Sequence, residues 1–105
     1  MDAITSDTTD RVATIIGDTL NGWFQPHLHF DPIVVRQRYD DWYDEDYLEA
    51  WIVWEGDHDY MDYSRINGLP IDIEPELDEM GVELSVHQHY IAKWEWDLNK
   101  ERILN

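Results

Sequence analysis

The chain has 105 residues, with 24 Asp and Glu against 7 Lys and Arg, a net charge of −17, no cysteine, six Trp and six Tyr. Without cysteine there is no disulfide scaffold, no Cys-ligated zinc finger and no thiol chemistry. So few cations argue against direct binding to nucleic acid or to an anionic membrane, because phosphate contacts need Lys and Arg.

From the N-terminus, Met1 to Asp7 shows no basic region leading into an apolar run, so no signal peptide is expected. No apolar stretch approaches the ~18 residues of a membrane span, and a cytoplasmic location is the expectation. The first element is a helix over Thr8 to Phe24. Ser6, Thr8 and Thr9 offer caps, and Val12, Ile15, Ile16, Leu20 and Trp23 or Phe24 recur at three- and four-residue steps. Gly22 and Pro26 mark its end. His27 to Pro32 reads as a connector.

Two strands follow, Ile33 to Tyr39 and Tyr47 to Glu55, both β-branched and alternating. The acidic stretch Asp40 to Asp46 between them reads as a hairpin loop. Side-chain pairing favours Tyr39 opposite Leu48, which sets Arg38 against Glu49 and Arg36 against Trp51. Ile33, Val35, Leu48, Ala50, Ile52 and Trp54 then share the face that a helix can cover.

Gly56 to Asp59 is a turn. Leu69, Ile73, Leu77 and Met80 fit one helical face with Gly81 as the stop, but Pro75 would break a long helix. A short helix from about 70 or 74 to 80 is predicted. A third strand runs from about Glu83 to Trp94, with His87, His89, Ile91 and Lys93 on one side. Asp97 to Asn105 is a short terminal helix or a frayed tail. Apolar residues make up 43% of the chain and sit in periodic stretches, so residues 1–105 form one folded domain rather than a disordered acidic tail. The predicted fold is α+β: a small two-layer sandwich of order α-β-β-α-β, with helices on one face of a three-stranded sheet. The open sheet face, with Trp51 and Val53, makes a homodimer a natural expectation.

Chemistry-bearing patterns are sparse. His87 and His89, two apart on a strand, point the same way and could hold zinc or another divalent ion with His58, Asp57 or Asp59 as a third ligand. His27 and His29 form a second such pair. Asp57 to Asp62 lacks the glycine and the glutamate of a calcium loop, with Asp62 and Gly68 at those positions. No nucleophile-elbow serine and no phosphate-cradling loop is present, and 24 carboxylates single out no acid/base pair, so a non-catalytic protein is expected. Arg36, Arg38 and Trp51 converge on the open sheet face, where they could bind a small anionic ligand or simply neutralise Glu49 and Glu55.

The acidity itself has three readings. Carboxylates can mimic nucleic-acid phosphates against a basic protein. They can belong to an antitoxin-like regulator of a basic partner. They can also reflect adaptation to high salt, to which 15 Asp and only two Lys are similar. The exposed aromatics suit the first and second of these. Trp42 and Tyr43 beside Asp44 and Glu45, and Tyr60 and Tyr63 beside Asp59 and Asp62, are what a hot spot for a basic protein partner needs.

Overall fold

A computed structural model describes residues 4–105. The reading of Met1 to Asp7 as free of a signal peptide begins in residues 1–3 and so lies partly outside the described residues. Helix α1 spans Ser6–Phe24, and its N-cap is Thr5, whose hydroxyl accepts from the Thr8 amide at 3.2 Å. Val12, Ile16, Leu20 and Phe24, at four-residue steps, are its buried stripe. They lie on strands β1 (Leu28–Asp40) and β2 (Glu45–Gly56). Strand β1 starts five residues earlier than the alternation alone predicted, because Leu28 and Phe30 also enter the core. Pro32 is tolerated there because β1 is an edge strand with a bulge between Phe30 and Ile33. At that bulge the Asn21 side chain substitutes for a strand neighbour: it donates to the Phe30 carbonyl at 3.1 Å and accepts from the Phe30 amide at 2.8 Å.

The hairpin register differs from the expected one by two residues. Tyr39 pairs with Asp46 and Arg36 with Glu49, while Arg38 faces Tyr47 and Val34 faces Trp51. The cause is the loop. Asp40 accepts from the amides of Trp42 and Tyr43, and Asp44 takes a left-handed φ of 53°, so the chain reverses within 41–44 and the strands run further into the acidic stretch. A two-residue slip preserves the faces. Leu48, Ala50 and Ile52 point to the core as expected.

At the other end of β2, Gly56 has φ 122°, and a Cβ there would meet the His27 carbonyl at 2.3 Å. A 3₁₀ turn, His58–Tyr60, leads to the short helix α2 (Tyr63–Asn67) and then α3 (Leu69–Glu79). Pro75 does not break α3. It removes one hydrogen bond to the Ile71 carbonyl, but Ile71 and Pro75 both lie on the exposed side, where water replaces the donor. Leu69, Ile73 and Leu77 bury the opposite stripe, and Gly81 at φ 78° ends the helix.

Strand β3 (Ser85–Ala92) lies parallel to β2, giving the order β1-β2-β3. The Tyr90 hydroxyl donates to Gln88, and the Gln88 amide donates to the Ile66 carbonyl, tying β3 to the crossover. Burial pushes the Tyr90 phenol above its ordinary value, which keeps it a donor. The α+β sandwich with α1 and α3 on one face is thus present.

The C-terminal stretch adds to that plan. Helix α4 (Lys93–Leu104) takes Lys93 and Trp94 out of the predicted strand and begins four residues before Asp97. It lies across the opposite face of the sheet, where Val53 and Trp96 are buried apart from the main core. That face is therefore not open within the single chain: α4 covers Val53 completely, and Trp51 packs against Trp96.

Two glycines provide a check on the backbone. Gly56→Ala is expected to destabilise the fold by at least about 2 kcal/mol, because its φ and the close carbonyl both exclude a Cβ. Gly22→Ala, on α1 with nothing within 4 Å of the added carbon, should stabilise by up to about 1 kcal/mol. Urea melts of the two variants beside the parent measure both.

Candidate functional site

Three places bear on function: the hairpin tip, the far end of the hairpin, and the sheet face under α4. The tip holds Trp42 and Tyr43, 87% and 71% exposed, next to Asp44 and Glu45. Two acids here serve the turn itself. Asp40 caps the amides of Trp42 and Tyr43, and Asp44 accepts from the Tyr39 hydroxyl. The Asp41 and Glu45 carboxylates make no hydrogen bond or ion pair among the described residues, so their charge faces solvent beside two uncovered rings.

The far end gathers more aromatic surface than the sequence pattern revealed. His27 stacks on Tyr60 with ring centres 3.6 Å apart and planes 3° from parallel. His58 Nε2 lies 2.7 Å from the Tyr63 hydroxyl, and Trp54 packs 5.6 Å from the His58 ring. The Arg65 guanidinium sits 4.5 Å over Trp23. Asp57 accepts from the Asp59 amide, and Asp62 caps α2 through the Arg65 amide. Tyr60 and Tyr63 are thus held by imidazoles within an acidic turn. Strand β2 separates this end from the tip. Its 12 residues, at about 3.3 Å each, set them roughly 35 Å apart. The eight residues singled out for partner binding therefore form two patches, not one.

The sheet face carries the expected Arg36, Arg38 and Trp51, but as part of a joint and not as an open anion pocket. Arg36 donates to Glu49 Oε1 from Nε at 3.0 Å and from Nη2 at 2.6 Å. The same guanidinium donates to the carbonyls of Leu104 at 2.9 Å and Ile103 at 3.4 Å, the last turn of α4. An arginine at a helix C-terminus both completes orphan carbonyls and complements the dipole. Trp51 lies between His89 and Trp96, with ring centres at 4.7 and 6.4 Å. Its indole N–H is buried without a hydrogen-bond partner. The Glu49 carboxylate is close enough to feel that N–H, although the geometry falls short of a bond. Desolvation works against charge on Glu49. It is outweighed by the Arg36 hydrogen bonds, the Trp51 N–H and the charges of Arg36 and Arg38, so Glu49 titrates below its ordinary value.

The histidines do not assemble. His87 and His89 do share the α4 face of β3, but each stacks on an aromatic ring, Tyr47 and Trp51 respectively. His58 belongs to the far end, beyond the last residue of β2, and is engaged by Tyr63. Among the described residues no three His, Asp or Glu side chains converge as a metal group would need. No helix of the described residues is long and apolar enough to cross a membrane.

A further feature was not foreseen. On α4, Trp94 and Leu98, four residues apart, are 67% and 77% exposed while Trp96 points inward. The spacing of Trp96 and Ile103, seven residues apart, was the available signal that this polar stretch is a docked helix. What fold and surface define is a small acidic α+β protein with aromatic side chains presented at both ends of its hairpin. Comparison with protein-family models, with curated proteins and with solved structures finds no match.

The Arg36 joint has a measurable pH signature. A carboxylate whose folded value lies below its ordinary 4.5 contributes stability above that value and loses it as pH falls through the folded one. Arg36→Ala should lower stability by about 1–3 kcal/mol and speed amide exchange in α4 ahead of α1. Glu49→Gln should flatten the loss of α4 protection below pH 4.5. An α4 that exchanges at the parental rate in both variants means that Arg36 does not hold it.

Proposed function

We propose that this protein is a non-catalytic acidic interaction module that binds a basic protein partner, in the manner of a nucleic-acid mimic or an antitoxin-like regulator. The observation that carries the proposal is the hairpin tip, where Trp42 and Tyr43 stand uncovered beside carboxylates that have no cation of their own. Two adjacent exposed rings form contiguous apolar surface of the kind that marks an interaction site. An aromatic anchor within an acidic rim supplies contact area to a partner and repels competing acidic surfaces.

The charge balance supports the same reading. Among the described residues only Arg36–Glu49 and Lys93–Asp97 form ion pairs, against 24 acids in the chain. The remaining field extends about 8–10 Å into solvent at physiological salt and would speed association with a cationic surface. Neither the metal-binding nor the small-anion alternative draws on an assembled set of side chains.

The test is retention of a basic partner by the immobilised full chain. A partner is expected to be held at about 50 mM salt and released near 1 M, as screening requires. Trp42→Ala together with Tyr43→Ala should weaken retention at least about tenfold, since hot-spot aromatics contribute ~2 kcal/mol or more each. Retention that ignores both salt and these two substitutions overturns the proposal. Folding that needs molar salt points instead to salt adaptation.

A further inference from the structure

We infer that the outer edge of β3 is a strand-addition site, which takes an extended segment of a partner, Lys- or Arg-bearing and apolar by turns, as a fourth strand of the sheet. The inference rests on the reading of the protein as a module for a basic partner, and adds a main-chain contact distinct from the hairpin aromatics.

The two edges of the sheet are built differently. The β1 edge carries Pro32, a bulge between Phe30 and Ile33, and Asp31, Arg36, Arg38 and Asp40. These are the devices that prevent a further strand from pairing. Strand β3 has none of them. Ser85–Ala92 contains no Asp, Glu, Lys, Arg, Pro or Gly, in a chain where 30% charge predicts about two charged residues in eight.

The edge is also unoccupied by the chain itself. Beyond its ladder with β2, β3 gives and takes no main-chain hydrogen bond among the described residues before α4 begins. Every second residue therefore turns an N–H and a C=O to the outside. Helix α4 does not cover them. It leaves the end of β3 and crosses the sheet to Arg36 on β1, away from this edge.

Beside the edge, on the α3 side, lies a groove of about 500 Å³ between the outer flank of α3 and the start of β3. Ile71, 72% exposed, forms its outer wall. Leu77, Val82 and Val86 contribute its apolar lining, and Glu74 and Asp78 stand on the rim. The side chains of an added strand alternate between this groove and the His87–His89 side. A Lys or Arg stem suits the apolar floor while its charged end meets Glu74 or Asp78. Main-chain pairing supplies affinity and the alternating side chains supply selectivity. A second copy of this chain suits the edge less well, because it would set two surfaces of net charge −17, and two such acidic rims, against each other.

Three eight-residue peptides test this on the full chain: alternating Lys-Val, alternating Glu-Val, and the Lys-Val peptide N-methylated throughout. The Lys-Val peptide is expected to bind at low salt, to shift and protect amides within residues 85–92, and to leave those at Trp42 and Tyr43 unmoved. N-methylation should weaken it at least about tenfold by removing the main-chain donors. Equal binding of the N-methylated peptide, or shifts confined to the hairpin tip, overturns the edge site while leaving the basic-partner reading intact. Equal binding of the Glu-Val peptide overturns the charge preference. If the Lys-Val peptide does not bind, the edge site falls, and the basic-partner reading is decided separately by the retention experiment. Protection of residues 85–92 that rises with protein concentration alone replaces the partner strand with a second copy.

Discussion

The guanidinium of Arg36 makes hydrogen bonds to the Glu49 carboxylate on the neighbouring strand and to the last carbonyls of α4, and the distribution of free surface follows from that joint. One side chain answers three needs together. Glu49, partly buried, requires a cation. The C-terminus of α4 requires donors. The helix has little apolar surface of its own, with Trp96 its one fully buried residue, and requires an anchor beyond hydrophobic contact. With α4 so held, the second face of the sheet is closed, Val53 is fully covered and the Arg36 guanidinium is committed to Glu49 and to the end of α4.

The same joint sharpens the electrostatics. Seven cations are available to balance 24 acids, and the most buried of the paired ones is used internally. Arg65 is turned over Trp23 and Lys93 pairs within its own helix. What remains for the surface is Arg11, Arg38, Lys100 and Arg102 against a large excess of carboxylates. Lowering pH toward the isoelectric point near 4.2 reduces this repulsion, while the Glu49 contribution fails only below its ordinary value. The global and local effects therefore act in opposite directions over adjoining pH ranges, which makes the α4 response separable from whole-chain stability.

Much of the architecture was legible in the residues, and the misses have specific causes. The α1 stripe, the faces of both hairpin strands and the alternation of β3 are periodic signals tied to burial, and each is seen in the fold. Hairpin register is not fixed by periodicity, since a two-residue slip leaves every face unchanged; the Asp40 turn decided it. Pro75 reads as a break in the sequence because its effect depends on whether the carbonyl it leaves unpaired faces water, which is a tertiary fact. A helix at Asp97–Asn105 is among the sequence's expectations, but its earlier start and its docking are not, because the docking depends on Arg36, some 68 residues away in sequence. Among the candidate site residues, Trp42 and Tyr43 were found through composition of their neighbourhood. The separation of that patch from Tyr60 and Tyr63 followed only from the length of β2.

The layout also bears on why the chain is so acidic. Adaptation to salt requires only that carboxylates be spread over the surface and that apolar groups be withdrawn from it. This protein instead exposes Trp42, Tyr43, Ile71, Trp94 and Leu98 among its acids, and leaves one sheet edge free of charge altogether. Exposed rings and an unguarded edge each favour self-association, and a net charge of −17 opposes it. Under the proposed function the two features are complementary: repulsion between copies would oppose self-association through these surfaces, and for a cationic partner that repulsion would change sign. In that proposal the acidity would act less as a coat for solubility than as a filter on what can approach the aromatic ends and the β3 edge.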